Sequence, residues 1–212
     1  MGGSWDGLND CREYCFGKET YVVSQLTAMV NNMGLDGVDI DYEYYYTNNA
    51  NFDKGPQAIN FLSTITSGLK NQLPAGRNMV THTPMDSDLA VSLTTGAQSA
   101  YVDMLASVSD SIDFLMIQFY NGYARPAQDG FDGPTVYYGS MKASTIFDNV
   151  VDNVFGGQEH RVVVGFCIAD CSYTGSNADA TSARNVMAKV NTDYECKCEY
   201  GGEPSWGTVI FC

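Results

Sequence analysis

Apolar and polar positions along this chain follow two alternating periods. Residues 21–33 place Val22, Val23, Leu26, Met29, Val30 and Met33 at helical spacing, which predicts a helix. The next segment, GLDGVDIDYEYYY at 34–46, switches to a period of two. Val38, Ile40 and Tyr42 alternate with Asp39, Asp41 and Glu43, and Asp36 stands just before them. Successive side chains of a β-strand leave opposite faces, so one face here is apolar and the other is all carboxylate. At about 3.3 Å of rise per residue, neighbours in the acidic row stand roughly 6 to 7 Å apart, close enough to perturb one another's ionisation. Such a row needs protons, hydrogen bonds or a cation to relieve it. Strongly perturbed carboxylates are what acid–base chemistry requires.

The alternation continues downstream. A helix is predicted over 58–73, with Ile59, Leu62, Ile65 and Leu69 on one stripe, Phe61 beside it, and Pro74 and Gly76 ending it. A strand at 78–83, a helix at 97–107 and a nearly all-apolar strand at 112–120 come next. A helix at 141–154, a strand at 161–167, a helix at 178–190 and a last strand at 208–211 complete the series. Strands and helices in turn imply parallel strands with crossover helices, hence an α/β fold, either a doubly wound sheet or a (β/α)8 barrel. In both, function gathers at the carboxyl ends of the strands, where Glu43 falls. The run 122–139 exceeds a simple βα turn and is expected to be an active-site loop. There is no internal repeat, low-complexity tract or clear linker, so a single domain is expected over 1–212.

Composition narrows the partners. The 212 residues suffice for one sizeable core. Hydrophobic residues make up 44%, charged residues 17%, and no stretch approaches the roughly 20 apolar residues of a membrane span. Eleven Lys and Arg against 25 Asp and Glu leave a net charge of −14, which disfavours nucleic acid and anionic lipid. Fourteen tyrosines and ten phenylalanines at low charge density suit a neutral, hydroxyl-rich ligand. The seven cysteines include Cys11 with Cys15, Cys167 with Cys171, and Cys196 with Cys198, besides Cys212. Close pairs in loop-like segments favour local disulfides over a zinc site, and so an oxidising, extracellular compartment. The amino terminus, MGGSWDGLND, shows neither the basic head nor the apolar core of a signal peptide. A divalent cation is the competing reading of the carboxylate row. All its acids come from one strand and no ring of further ligands accompanies them, so no metal or other cofactor is expected. His82 and His160 have no partner at motif spacing and are expected to be structural or surface residues.

The stretch DGVDIDYE at 36–43 resembles the D-x-x-D-x-D-x-E signature of family 18 glycoside hydrolases, the chitinase family. MGGSW at 1–5 is similar to the family's S-x-G-G motif without its serine. MIQFYN at 116–121 resembles the Gln-x-Tyr-Asn strand of the plant, hevamine-like branch, and VVVGFCIAD at 162–170 the strand after it. The resemblance implies a (β/α)8 TIM barrel in which MGGSW follows the third strand and the acidic strand is the fourth. The barrel would then be incomplete, with about strands four to eight present, in a catalytic domain truncated at its amino terminus and also at its carboxyl terminus. Two positions depart from the pattern. The tryptophan that usually ends the last strand has no counterpart near Cys212, and Met85 stands where the plant branch tends to have glutamine.

The family mechanism, carried over by position, implies substrate-assisted retaining hydrolysis of β-1,4-linked N-acetylglucosamine polymers, chitin or its oligosaccharides. Glu43 would be the general acid and later the base. Asp41 would orient the sugar's N-acetyl group, whose carbonyl oxygen attacks the anomeric carbon, and Asp39 would share a proton with Asp41. Tyr120 would hydrogen-bond the acetamido oxygen, with Gln118 and Asn121 lining the same subsite. Trp5, Tyr42, Tyr44 and Tyr123 would offer stacking faces to sugar rings. Two other outcomes fit the resemblance: cleavage of N-glycans by an endo-β-N-acetylglucosaminidase, and glycan binding without catalysis. A monomer is expected, with a glycan as its partner and neither nucleic acid nor membrane.

Overall fold

The computed structural model describes residues 13–43, 55–90, 99–120, 122, 124–133, 142–168, 175–194, 199–200 and 210–211. In chain order the helices are α1 (Glu19–Met33), α2 (Gly55–Gln72), α3 (Asp86–Leu89), α4 (Ala100–Ser107), α5 (Pro126–Asp129), α6 (Ala143–Asn153) and α7 (Ala180–Tyr194). The strands are β1 (Gly37–Ile40), β2 (Met79–His82), β3 (Phe114–Gln118), β4 (Val162–Gly165), β5 (Glu199–Tyr200) and β6 (Ile210–Phe211). The fold is α/β, with the alternation that the hydrophobic periods predict. Among the described residues no helix is long and apolar enough to cross a membrane. The chain divides into two units, residues 1–83 with 99–115 and residues 84–98 with 116–212.

In the first unit, β1 and β2 are parallel, with Val38 beside Val80, Asp39 beside Thr81 and Ile40 beside His82. The start of β3 adds on the other side of β2, again parallel. Helix α2 packs on α1, α4 and β2, and its Phe61, Leu62, Ile65 and Leu69 are fully buried. Each such side chain contributes about 1.5–3 kcal/mol by leaving water. Helix α1 buries Val22, Val23 and Val30 and stops at Gly34, whose φ of 66° is the left-handed conformation that ends a helix cheaply only in glycine. Of its sequence-level stripe, Met29 and Met33 are exposed. Gly37 permits the close approach of β1 to β2, since a Cβ there would lie 2.0 Å from the Met79 carbonyl oxygen. An ion pair ties the amino ends of the strands to α2: Lys70 Nζ lies 2.7 Å from Asp113, which also accepts the Val80 N–H at 2.7 Å.

In the second unit the strand order is β3-β4-β6-β5. The Phe119 N–H donates to the Gly165 carbonyl, and a Cβ on Gly165 would lie 2.7 Å from the Ile117 carbonyl oxygen. Helix α6 buries Ile146, Phe147, Val150 and Val151, and Phe147 takes Phe131 on one side and Tyr194 on the other, at centroid distances of 5.8 and 4.8 Å. The predicted loop 122–139 holds helix α5 and the buried Phe131 within its described part, so that part is packed structure.

The last strand departs from the sequence-level expectation. β6 pairs antiparallel with β4 and with β5, where a parallel eighth strand was expected. The reason lies in connection length. A parallel return needs a crossover of about a dozen residues or more, and only residues 201–209 separate β5 from β6. The crossover helix α7 stands one connection earlier, before β5. Strand ends are also shorter than the apolar runs suggest, because β1 stops at Ile40 and β3 at Gln118.

Candidate active site

The acid row forms as its period dictates. Val38, Ile40 and Tyr42 are buried on the helix side of β1, while Asp39, Asp41 and Glu43 share the opposite face and keep partial exposure. Asp41 is in an isolated bridge and Glu43 lies past the strand's carboxyl end, where a parallel α/β sheet presents its chemistry. Tyr42 corrects the stacking expectation. It is 5% exposed and its ring packs on Phe61 at 6.3 Å, so it serves the core and leaves no open face for a sugar.

The three acids meet different surroundings. Asp39 accepts the Thr81 hydroxyl at 2.6 Å on one carboxylate oxygen and the Thr83 hydroxyl at 2.7 Å on the other. Both threonines point to the acid face because the register sets Thr81 beside Asp39, and Thr83 follows two positions later. Asp41 is pushed up to about 7 from an ordinary 3.8, first by burial and then by the charges of Glu43 and Asp39. It shares a hydrogen bond with Glu43, which supports its protonated form. The row therefore has at one end a carboxyl held by two threonine hydroxyls and, in its middle, an acid whose pKa is raised to about 7 beside Glu43.

On the helix side of β2, His82 is fully buried between α2 and α4. Its ring nitrogens lie 2.9 Å from the Thr66 hydroxyl and 3.2 Å from the Tyr101 hydroxyl. Burial lowers its pKa to about 3, so the ring is neutral and structural, as its lack of motif partners suggests. His160 is exposed. Among the described residues no group of three or more His, Cys, Asp or Glu is arranged to hold a metal ion.

In the second unit Gln118 ends β3, 6% exposed, and Tyr120 follows it, half-buried. The Gln118 N–H donates to the Pro84 carbonyl at 3.0 Å, and Met85, the departure from the plant pattern, bridges to Gln118. The acid row belongs to the first unit and Gln118 and Tyr120 to the second. Trp5, Tyr44, Asn121 and Tyr123 lie outside the described residues.

Thr81, Thr83 and Asp86 are absent from the sequence-level set. The threonines carry a legible signal, since MVTHTP alternates two hydroxyls at i and i+2 on the strand after the acids. Asp86 carries none, because an acid in the polar stretch PMDSD gives no clue to burial. It is fully buried and its carboxylate accepts the Ala124 N–H.

The family model for glycosyl hydrolases family 18 matches residues 17–206. A chitinase of that family from Pseudoalteromonas aurantia has a similar structure, with a TM-score of 0.67 and 26% identity over 91% of this chain and 63% of that one. This chain thus spans under two thirds of the length of that chitinase. The chitinase domain of the spore coat protein CotE from Clostridium difficile matches with a TM-score of 0.49 and 15% identity over 88% of this chain and 52% of that one. No curated protein sequence matches this chain.

Proposed function

The chain belongs to glycosyl hydrolase family 18, and on that premise we propose that it hydrolyses β-1,4-linked N-acetylglucosamine polymers by substrate-assisted, retaining catalysis. One observation carries the reading: Asp39, Asp41 and Glu43 line one face at the carboxyl end of β1, with Asp41 hydrogen-bonded to Glu43 and its pKa raised by burial. In the proposed reaction Glu43 gives its proton to the glycosidic oxygen as the C1–O bond breaks. The acetamido carbonyl oxygen closes on the anomeric carbon to form an oxazolinium ion. Before substrate binds, the hydrogen of the Asp41–Glu43 hydrogen bond sits on Asp41; when it moves to Glu43 for donation, Asp41 is left a carboxylate that accepts the acetamido N–H. As a carboxylate it balances the positive charge that develops on the ring. Water then attacks the anomeric carbon, Glu43 takes its proton, and configuration is retained. Asp39, held by the Thr81 and Thr83 hydroxyls, stands next to Asp41 on the same face, where it can share a proton with it.

Gln118, Tyr120 and Asn121 complete the acetamido subsite in this proposal, as in the plant, hevamine-like branch that MIQFYN resembles, and Trp5 is a stacking candidate. The chain acts on chitin or its oligosaccharides as a secreted monomer, with local disulfides. The test compares chain and Glu43→Gln on chitooligosaccharides and on a high-mannose glycoprotein. Loss of chitooligosaccharide cleavage by about 10²–10⁴-fold in the variant supports the reading. Equal activity of the two, or cleavage of the glycoprotein alone, overturns it.

A further inference from the structure

Two tethers reach from one short segment to either side of Tyr120. The Gln118 N–H donates to the Pro84 carbonyl at 3.0 Å, and six residues later the Ala124 N–H donates to the Asp86 carboxylate. Asp86 and Ala124 are both buried, with relative exposures of 0% and 1%. Gly122 passes so close that a Cβ there would lie 1.6 Å from an Asp86 carboxylate oxygen. A hydrogen bond from a backbone N–H to a buried carboxyl oxygen fixes direction as well as distance. The 84–86 segment thus brackets Tyr120 between a backbone bond and a carboxylate bond, with room for glycine alone between them.

We propose that Asp86 is a positioning residue that holds the loop after β3 so that Tyr120 meets the acetamido group, with Gly122 as its required counterpart. The proposal rests on the function proposed above, which gives Tyr120 its task. Asp86 itself touches no substrate. A displacement of about 1 Å in a substrate-orienting group costs on the order of 100-fold in rate. That loss falls on kcat, because the contact is made with an oxygen that becomes the attacking atom.

The experiment compares Asp86→Ala, Asp86→Asn and Gly122→Ala, each alone and combined with Tyr120→Phe, in the full chain. Amide hydrogen exchange at Ala124 and kcat for chitooligosaccharide hydrolysis are read together. The expected result is faster exchange at Ala124 in Asp86→Ala with the β3 amides unchanged, and kcat lower by about 100-fold. Asp86→Asn, which keeps an acceptor oxygen, recovers most of the rate, and Gly122→Ala reproduces the loss from the other side of the contact. Once Tyr120 is phenylalanine, Asp86→Ala costs little more, because the two act through one contact. Unchanged Ala124 exchange, or losses that simply multiply, overturns the proposal. A wild-type chain as inert as Glu43→Gln would instead overturn the proposed function, while Ala124 exchange would still decide whether Asp86 holds the loop.

Discussion

Replacing Asp41 by asparagine separates the electrostatic cost of the acid row from the rest of the fold. The native pKa of Asp41 is about 7 against 3.8 in an ordinary setting. A raised acid pKa means that the native state binds the proton more tightly than the unfolded chain. Stability is therefore undiminished below about pH 3.8, declines as the unfolded state alone ionises, and is lowest once pH exceeds 7. At 1.36 kcal/mol per unit the full shift corresponds to about 4 kcal/mol for a group sealed from solvent. Asp41 keeps partial exposure, and screening reduces this to about 1–2 kcal/mol. Asp41→Asn removes the charge, so it stabilises the protein by about 1–2 kcal/mol at pH 8 and by almost nothing at pH 3.5. For a chain of this length the gain is about 2–8 °C in melting temperature.

The comparison must be made against wild type at each pH, because His82 tilts the curve the other way. Its native pKa is about 3 against 6.5. The stability it contributes is whole above pH 6.5 and is lost as pH falls towards 3. Between these limits the two slopes oppose each other in the wild type, and subtracting the wild-type curve from that of Asp41→Asn cancels the histidine. Urea unfolding followed by tryptophan and tyrosine fluorescence from pH 3.5 to 8 measures the difference. A difference that stays flat with pH, or that shrinks as pH rises, refutes the assignment of a raised pKa to Asp41. The same variant is expected to lose hydrolytic activity, since stability gained at the cost of function marks a strained active site.

Thr81→Val with Thr83→Val removes both hydroxyl donors from Asp39 and is expected to lower stability at pH 7 by about 2–4 kcal/mol, with each Thr→Ser variant near wild type in urea unfolding. Gly37→Ala drives a Cβ towards the Met79 carbonyl oxygen and should cost about 3 kcal/mol by the same measurement, a change under about 0.5 kcal/mol contradicting the packing of β1 on β2. Asp113→Ala should cost about 2–3 kcal/mol and Lys70→Met less than about 1 kcal/mol, because Asp113 also satisfies the Val80 N–H while the ion pair is partly exposed. Equal losses in the two variants would show that the ion pair alone matters.

Much of this protein is legible in its residue order. The period-two stretch GVDIDYE is enough to put Val38, Ile40 and Tyr42 on one face and three carboxylates on the other, because side-chain alternation in a strand is local geometry. The same holds for the apolar stripe of α2 and for the strand–helix alternation that implies an α/β fold. The motif within the acid row also points to the family by itself. What depends on strand register and chain return was decided by tertiary structure alone. Only the pairing of Asp39 with Thr81 shows that threonines hold the end of the acid row. Only the packing of Tyr42 on Phe61 shows that this tyrosine belongs to the core. The antiparallel setting of β6 follows from a short connection that hydropathy does not register. Asp86 is the clearest case: in sequence it is one acid among 25, and its contact with Ala124 spans 38 positions. Periodicity reports which way a side chain leaves its own element, whereas its partner is set by which distant segment folds against it.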